Sequence, residues 1–180
     1  MSAVVADAGP LIHLAQVEKL QLVKGLFGTV MITPSVKHEA VDEGKRLSYA
    51  DAAVIDGALR DGWIRVESVP TRLTKPATNL AQGENISIAD AETLLLAKEK
   101  HAELLIDEKI VSDLAKMYGL RGWNTWTLLL ESLRNDLIKP AELEIVLDSL
   151  GKKKFRLNPK QIKEVLAAAK FIEAKKSRAK

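Results

Sequence analysis

The chain has 180 residues, 47% of them hydrophobic and none of them cysteine, and its formal charge is +3. That length can bury one sizeable core and predicts one main domain, while the absence of thiols excludes disulfides and thiolate metal centres. With only three histidines, a metal site has to lean on oxygen ligands, which suit hard cations.

The N-terminus has no basic segment ahead of its apolar stretch, and no run approaches the roughly 18 apolar residues of a membrane helix. A cytoplasmic protein without membrane association is the expectation. Ala3 to Ala6 is apolar and ends at Asp7, which predicts a first strand over Val4 to Asp7. Pro10 suits a first helical turn, and Leu11, Ile12, Leu14, Ala15 and Leu20 give the next segment a helical apolar face. A second short helix is predicted over Leu20 to Leu26. Gly28 then breaks the chain before Thr29 to Thr33, a β-branched strand, and Pro34 opens a helix through Val36, Ala40 and Val41 that carries Glu39. A helix from Tyr49 to Leu59 precedes Trp63 to Val69, which alternates like an edge strand. Residues 70 to 86, with Pro70, Pro76, Asn79, Gly83 and Asn85, are predicted to form a long loop.

Ser87 is suited to cap a helix over Ile88 to Lys100 that carries Asp90 in its first turn. Strand Leu104 to Ile106 ends at Asp107, and a helix from Ile110 to Tyr118 closes at Gly119. Leu120 to Asn124 forms a last short strand, Thr125 to Arg134 and Ala141 to Leu150 are helices, and Pro159 opens a final helix through Ile162, Val165, Leu166, Ala169 and Ile172. Strands alternating with helices predict parallel βαβ units in a three-layer α/β/α domain with a central, mostly parallel sheet. That domain is expected over residues 1–150, with a basic helical extension over 151–180. The extension holds 11 Lys or Arg against 2 acids, leaving 16 against 22 before it. An acidic body and a basic tail suit a protein that concentrates carboxylates and touches phosphate; a solvated amphipathic helix accounts for the same charges.

Four isolated carboxylates, Asp7, Glu39, Asp90 and Asp107, each lie beside or just after an apolar run. Singly, Asp7 and Asp107 are also explained as helix caps, Glu39 as a solvated helix residue, and Asp90 as a first-turn acid favoured by the helix dipole. Together, two strand ends and two helix starts can converge at the edge where open α/β sheets place their sites. Phosphodiester hydrolysis near neutral pH needs an acidified water and a held negative charge. Mg²⁺ or Mn²⁺ supplies both, and a few carboxylates can hold such an ion.

The order of motifs resembles the PIN-domain nucleases, in particular the compact prokaryotic branch related to VapC-type toxins. Val5-Ala6-Asp7-Ala8-Gly9-Pro10-Leu11-Ile12 resembles the opening strand and first acid of that family. Ile32 to Val41 resembles its second segment, with Glu39 as the acid; Ala89 to Ala97 resembles the third, with Asp90; and Leu104 to Glu108 followed by Leu114 to Leu120 resembles the fourth, with Asp107. The resemblance implies a metal-dependent, single-strand-specific endoribonuclease whose water attacks phosphorus and whose leaving group is a 3′-hydroxyl. It implies Asp7, Glu39, Asp90 and Asp107 as catalytic and metal-binding residues, with Asp7 and Asp107 as direct or near-direct ligands, Asp90 completing the site, and Glu39 binding through water or serving a second Mg²⁺ or Mn²⁺. It further implies a homodimer and the toxin role of a toxin–antitoxin pair, with an antitoxin protein as partner. Two positions depart from the pattern: Gly9 stands where a serine, threonine or asparagine is common, and Asp113 where a basic residue is common.

Two rival readings stay open beside the enzyme. A PIN-like module that binds RNA or protein without cutting fits Gly9 and the basic tail, and a phosphatase built on Asp7 is weakened by the lack of an aspartate at position 9. Glu92, about 200° around the helix from Asp90, and Glu108 rank below the four acids. Lys152 to Lys154, Phe155 and Arg156 can track a nucleic-acid backbone or form a solvated linker. Trp123 and Trp126 are expected in the core or at a dimer face, His13 as a satisfied core or interface histidine, and His38 only adjoins Glu39.

Overall fold

The computed structural model describes residues 3–153, 155 and 158–178. Five short strands, β1 (Val4–Ala6), β2 (Val30–Ile32), β3 (Ile64–Val66), β4 (Glu103–Leu105) and β5 (Gly122–Trp123), form one sheet in the order β3-β2-β1-β4-β5. Every pairing is parallel: Val4 faces Val30 and Glu103, Ile32 faces Val66, and Leu105 faces Trp123. Central parallel strands covered on both faces read as continuous apolar runs, and β1 is fully buried at Val4, Val5 and Ala6.

Helices cover both faces. On one lie α1 (Ala8–Gln16), α2 (Gln21–Phe27), α5 (Ala50–Arg60), α9 (Thr125–Arg134), α10 (Pro140–Lys152) and α11 (Pro159–Arg178), around a core that includes Val4, Ala6, Leu11, Leu14, Ile55, Leu128, Leu129 and Val165. On the other, α7 (Ile88–Glu99) and α8 (Lys109–Met117) pack Leu94, Leu96, Val111 and Ala115 against Val5 and Leu104. The result is a three-layer α/β/α fold.

Residues 70 to 86 depart from the loop expectation. Thr71–Glu84 forms helix α6 with Pro76 inside it, and Asn85 ends it in the left-handed region at φ 53°. Proline at that depth removes one backbone bond, yet the helix is held by packing along α7, with Ala77 buried and Leu80 against the second core. Tertiary burial of one apolar face outweighs the local breakers.

After β2 the chain forms one helical rod in three parts: α3 (Pro34–Lys37), a π-helical stretch (His38–Glu43) and α4 (Gly44–Arg46). Thr33 caps its start, accepting the Val36 N–H at 3.2 Å. Gly44 is needed by contact, because a Cβ there would lie 2.6 Å from the Cβ of Ala52 on α5.

Candidate functional site

Strand order reverses around β1: β2 and β3 lie to one side, β4 and β5 to the other. The carboxyl ends of β1 and β4 therefore flank the switch point, where a crevice opens in such sheets. Asp7 follows β1 directly, and its backbone N–H still bonds the Leu105 carbonyl at 2.9 Å. Asp107 follows β4 after Ile106, whose N–H bonds the Trp123 carbonyl at 2.8 Å. The sheet thus delivers the first and fourth sequence-predicted acids to the same edge.

Asp7 also caps α1, its carboxylate accepting the Gly9 N–H at 3.2 Å. Burial pushes its carboxyl up to about 7, the Asp90 charge adds to the rise, bonds from the Gly9 and Ala8 backbone oppose it, and Glu39 raises it further. Glu39, on the π-helical stretch, is likewise held above the usual carboxylate range, first by desolvation and then by Asp90. These shifts tie Asp7, Asp90 and Glu39 into one electrostatic group in which every interacting charge is negative. Asp90 is oriented by a reciprocal cap at the start of α7: its carboxylate accepts from the Ser87 N–H at 3.2 Å and hydroxyl at 2.8 Å, and its own N–H bonds Ser87 Oγ at 3.0 Å. π-helical turns recur at functional sites, and this one carries Glu39.

Asp107 is engaged differently. Its Oδ1 accepts the Thr125 N–H at 2.8 Å, and its Oδ2 takes both the Thr125 hydroxyl at 2.7 Å and His13 Nδ1 at 2.8 Å. The β4 end is thereby tied to the start of α9 and to α1. His13, expected as a satisfied core or interface histidine, is satisfied, but by a site carboxylate. Gly9 lies between the two: a Cβ there would sit 3.6 Å from Asp7 Oδ2 and 4.0 Å from His13 Cε1. Thr125, buried at the α9 N-terminus, holds a candidate-site acid and was passed over by local sequence reading; a β-strand end followed by Asn-Thr was the available signal.

The lower-ranked residues point elsewhere. Glu92 accepts a bond from Ser35 Oγ on α3, bracing the rod that carries Glu39 against α7. Glu108 caps α8 by accepting the Ile110 N–H at 3.5 Å. Bonds from Lys109 and Lys116 hold Asp113 at about 2 on the solvated side of α8. His38 faces Asp42 at 3.9 Å and Glu43 at 3.7 Å. Trp123 packs on Phe27 with ring centroids 5.5 Å apart, and Trp126 packs on Phe155 at 4.7 Å. Phe155 in turn lies 4.3 Å from the His13 ring; Lys154 and Arg156, its neighbours in the basic cluster, lie outside the described residues.

Among the described residues, no three acids or histidines stand close enough to form a ready-made ion cage. The donor chemistry nevertheless fits a hard divalent cation: an all-oxygen group of mutually repelling carboxylates, two of them pushed toward protonation. Magnesium takes only one or two carboxylates directly and keeps several waters, so it does not require three converging side chains.

Comparison with known proteins agrees with this architecture. The crystal structure of PAE2754 from Pyrobaculum aerophilum aligns with a TM-score of 0.52 over 72% of this chain and 88% of that one, at 20% sequence identity, a likeness of fold. No curated protein matches the chain. The family model DUF3368, described as a PIN domain, matches residues 3–171, from the strand that ends at Asp7 well into α11. By that match, which spans nearly all of it, the chain belongs to the PIN-domain family, a nuclease-type family.

Proposed function

We infer that the protein is a metal-dependent, single-strand-specific endoribonuclease acting from the β1/β4 edge. The observation that carries this reading is the place of Asp7 directly after β1 at the sheet's switch point, buried and with its pKa raised further by the charges of Asp90 and Glu39. Asp7 and Asp90 would hold Mg²⁺ or Mn²⁺, Glu39 would act through water, and Asp107 would complete the set from the β4 side. The chemistry that such an ion supplies when bound is acidification of water and stabilisation of charge on the phosphate.

The chain's own residues then orient and assist. Thr125 and His13 hold the Asp107 carboxylate in one orientation, and Ser87 holds that of Asp90. In the reaction a water oxygen bonds to phosphorus, the bond from phosphorus to the 3′-oxygen breaks, and the proton released from water is balanced by protonation of that oxygen. The basic residues of 151–180 would meet the RNA backbone. We extend the reading to a cytoplasmic homodimer serving as the toxin of a toxin–antitoxin pair.

One observation favours a second reading, a PIN-like module that binds RNA or protein without cutting: both Asp107 oxygens are already committed to protein donors. A single experiment separates the two. Purified protein is incubated with mixed single-stranded RNA and Mg²⁺ or Mn²⁺, against EDTA and against Asp7→Asn. Cleavage that requires both metal and Asp7 establishes the nuclease; RNA binding without cleavage under all conditions establishes the module.

A further inference from the structure

The α9 N-terminus and the first turns of α11 border an open cleft of about 240 Å³. Asn124, Trp126, Thr127, Gln161 and Glu164 line it, over Val165. Its place in the fold is fixed by Thr125, which sits between Asn124 and Trp126 and donates to Asp107 at 2.8 Å and 2.7 Å. The α9 wall of the cleft is thus continuous in the chain with the residue that holds the β4-side acid.

The lining has the composition that reads a base. Trp126 supplies an aromatic wall and is itself steadied by Phe155 at 4.7 Å; a single-stranded base stacks on such a ring. Asn124 Oδ1 is occupied by the Thr127 N–H at 2.9 Å and hydroxyl at 3.1 Å, and among the described residues its amide NH₂ has no protein acceptor. Gln161 Oε1 accepts the Asn158 N–H at 3.1 Å, and its NH₂ is likewise uncommitted among the described residues. Both amides are thus turned into donors by their own helix caps. The carboxylate on the lining is Glu164, 64% exposed, whose one ion pair among the described residues, to Lys160, is long at 3.9 Å.

We propose that this cleft is a guanine-selective subsite for the nucleotide beside the scissile phosphate. Guanine alone presents two adjacent donors, N1–H and N2–H₂, to match the two oxygens of one carboxylate, and two acceptors, O6 and N7, to match amide donors. Adenine places an acceptor at N1, facing the carboxylate; cytosine and uracil offer it a single donor position. Glu164 and the two amides are the specificity residues, and Trp126 is the stacking residue. The subsite rests on the ribonuclease reading for its natural ligand, but its test does not need catalysis.

The full chain is titrated in EDTA with 5′-GMP, AMP, CMP and UMP while tryptophan fluorescence is followed. GMP is expected to quench and to bind roughly 10-fold or more tightly than AMP, the discrimination of one good bidentate contact. Trp126→Phe should remove most of the quenching, and the exposed change Glu164→Gln should reduce the GMP-over-AMP ratio toward 1 with the circular dichroism unchanged. Equal binding of all four nucleotides, undiminished quenching in Trp126→Phe, or an intact GMP preference in Glu164→Gln would each overturn the proposal. GMP selectivity in a protein that cuts no RNA would sink the nuclease reading and leave the subsite standing; cleavage with no preference for guanine beside the cut would sink the subsite alone.

Discussion

Asp7 carries the sharpest residue-level consequence. Its folded carboxyl titrates at about 7, against an ordinary value of 3.8, so between those values the folded protein holds a proton that the unfolded chain has lost. Metal-free stability therefore falls as pH rises from about 4 to about 7, by up to roughly 1.4 kcal/mol per pH unit for one proton. Asparagine caps helices as well as aspartate, so Asp7→Asn should keep the fold, flatten that slope in urea unfolding between pH 5 and pH 8, and abolish metal-dependent cleavage. A slope equal to wild type would show that Asp7 is not the titrating group. If Asp7 holds Mg²⁺, binding needs the ionised carboxylate and should tighten as pH rises through about 7, as calorimetry at pH 6 and pH 8 can read. Thr125→Val keeps the backbone donor to Asp107 and removes the hydroxyl donor. A drop of about 1 kcal/mol in stability is expected, together with a fall in kcat larger than any change in KM, because the carboxylate is no longer fixed in orientation.

Helices decide how the acids meet. Asp90 is placed by the cap of α7 and Glu39 by the π-helical stretch, and the Ser35–Glu92 bond braces the two against each other. The rod carrying Glu39 turns onto α5 at Gly44, where a Cβ would meet Ala52 at 2.6 Å, backbone-borne atom against backbone-borne atom. Gly44→Ala should therefore destabilise by about 1–3 kcal/mol through overpacking, despite alanine's better helix propensity. A thermal melt at or above the wild-type midpoint would show that α4 and α5 can separate without cost. Helix α6 teaches the converse: Pro70, Pro76, Gly83 and Asn85 spell a loop locally, and packing on α7 makes a helix of 14 residues.

For the molecule as a whole, the C-terminal helix cannot be treated as a detachable tail. Val165 and Ala169 are buried in the main core, Phe155 lies against His13 and Trp126, and Lys176 donates to the Leu133 carbonyl at 2.7 Å. Deleting residues 152–180 would strip that core and confound any loss of RNA binding. The cleaner test replaces exposed charges, Lys163→Gln with Lys170→Gln. If the helix tracks RNA, affinity drops and the slope of log K against log salt falls by roughly 1 for each phosphate no longer neutralised. A slope unchanged from wild type would place the RNA elsewhere.

The sequence by itself determined the strand runs, most helix starts and the position of each acid in its element, because these depend on local periodicity, caps and turn residues. Val4 to Asp7 and Leu104 to Ile106 were legible as strands leading to acids, observed as Val4–Ala6 and Glu103–Leu105, and Ser87 as a cap. Only the tertiary structure decided that α6 is a helix, that Asp7, Asp90 and Glu39 act on one another, and that Asp107 is held by Thr125 and by His13, 94 residues away in the chain. Such contacts form where the parallel sheet brings distant segments back to one edge, and no local window of sequence contains both partners. Burial does the rest, lifting Asp7 far from its ordinary titration range because the low-dielectric interior penalises a charge that the sequence alone would leave solvated.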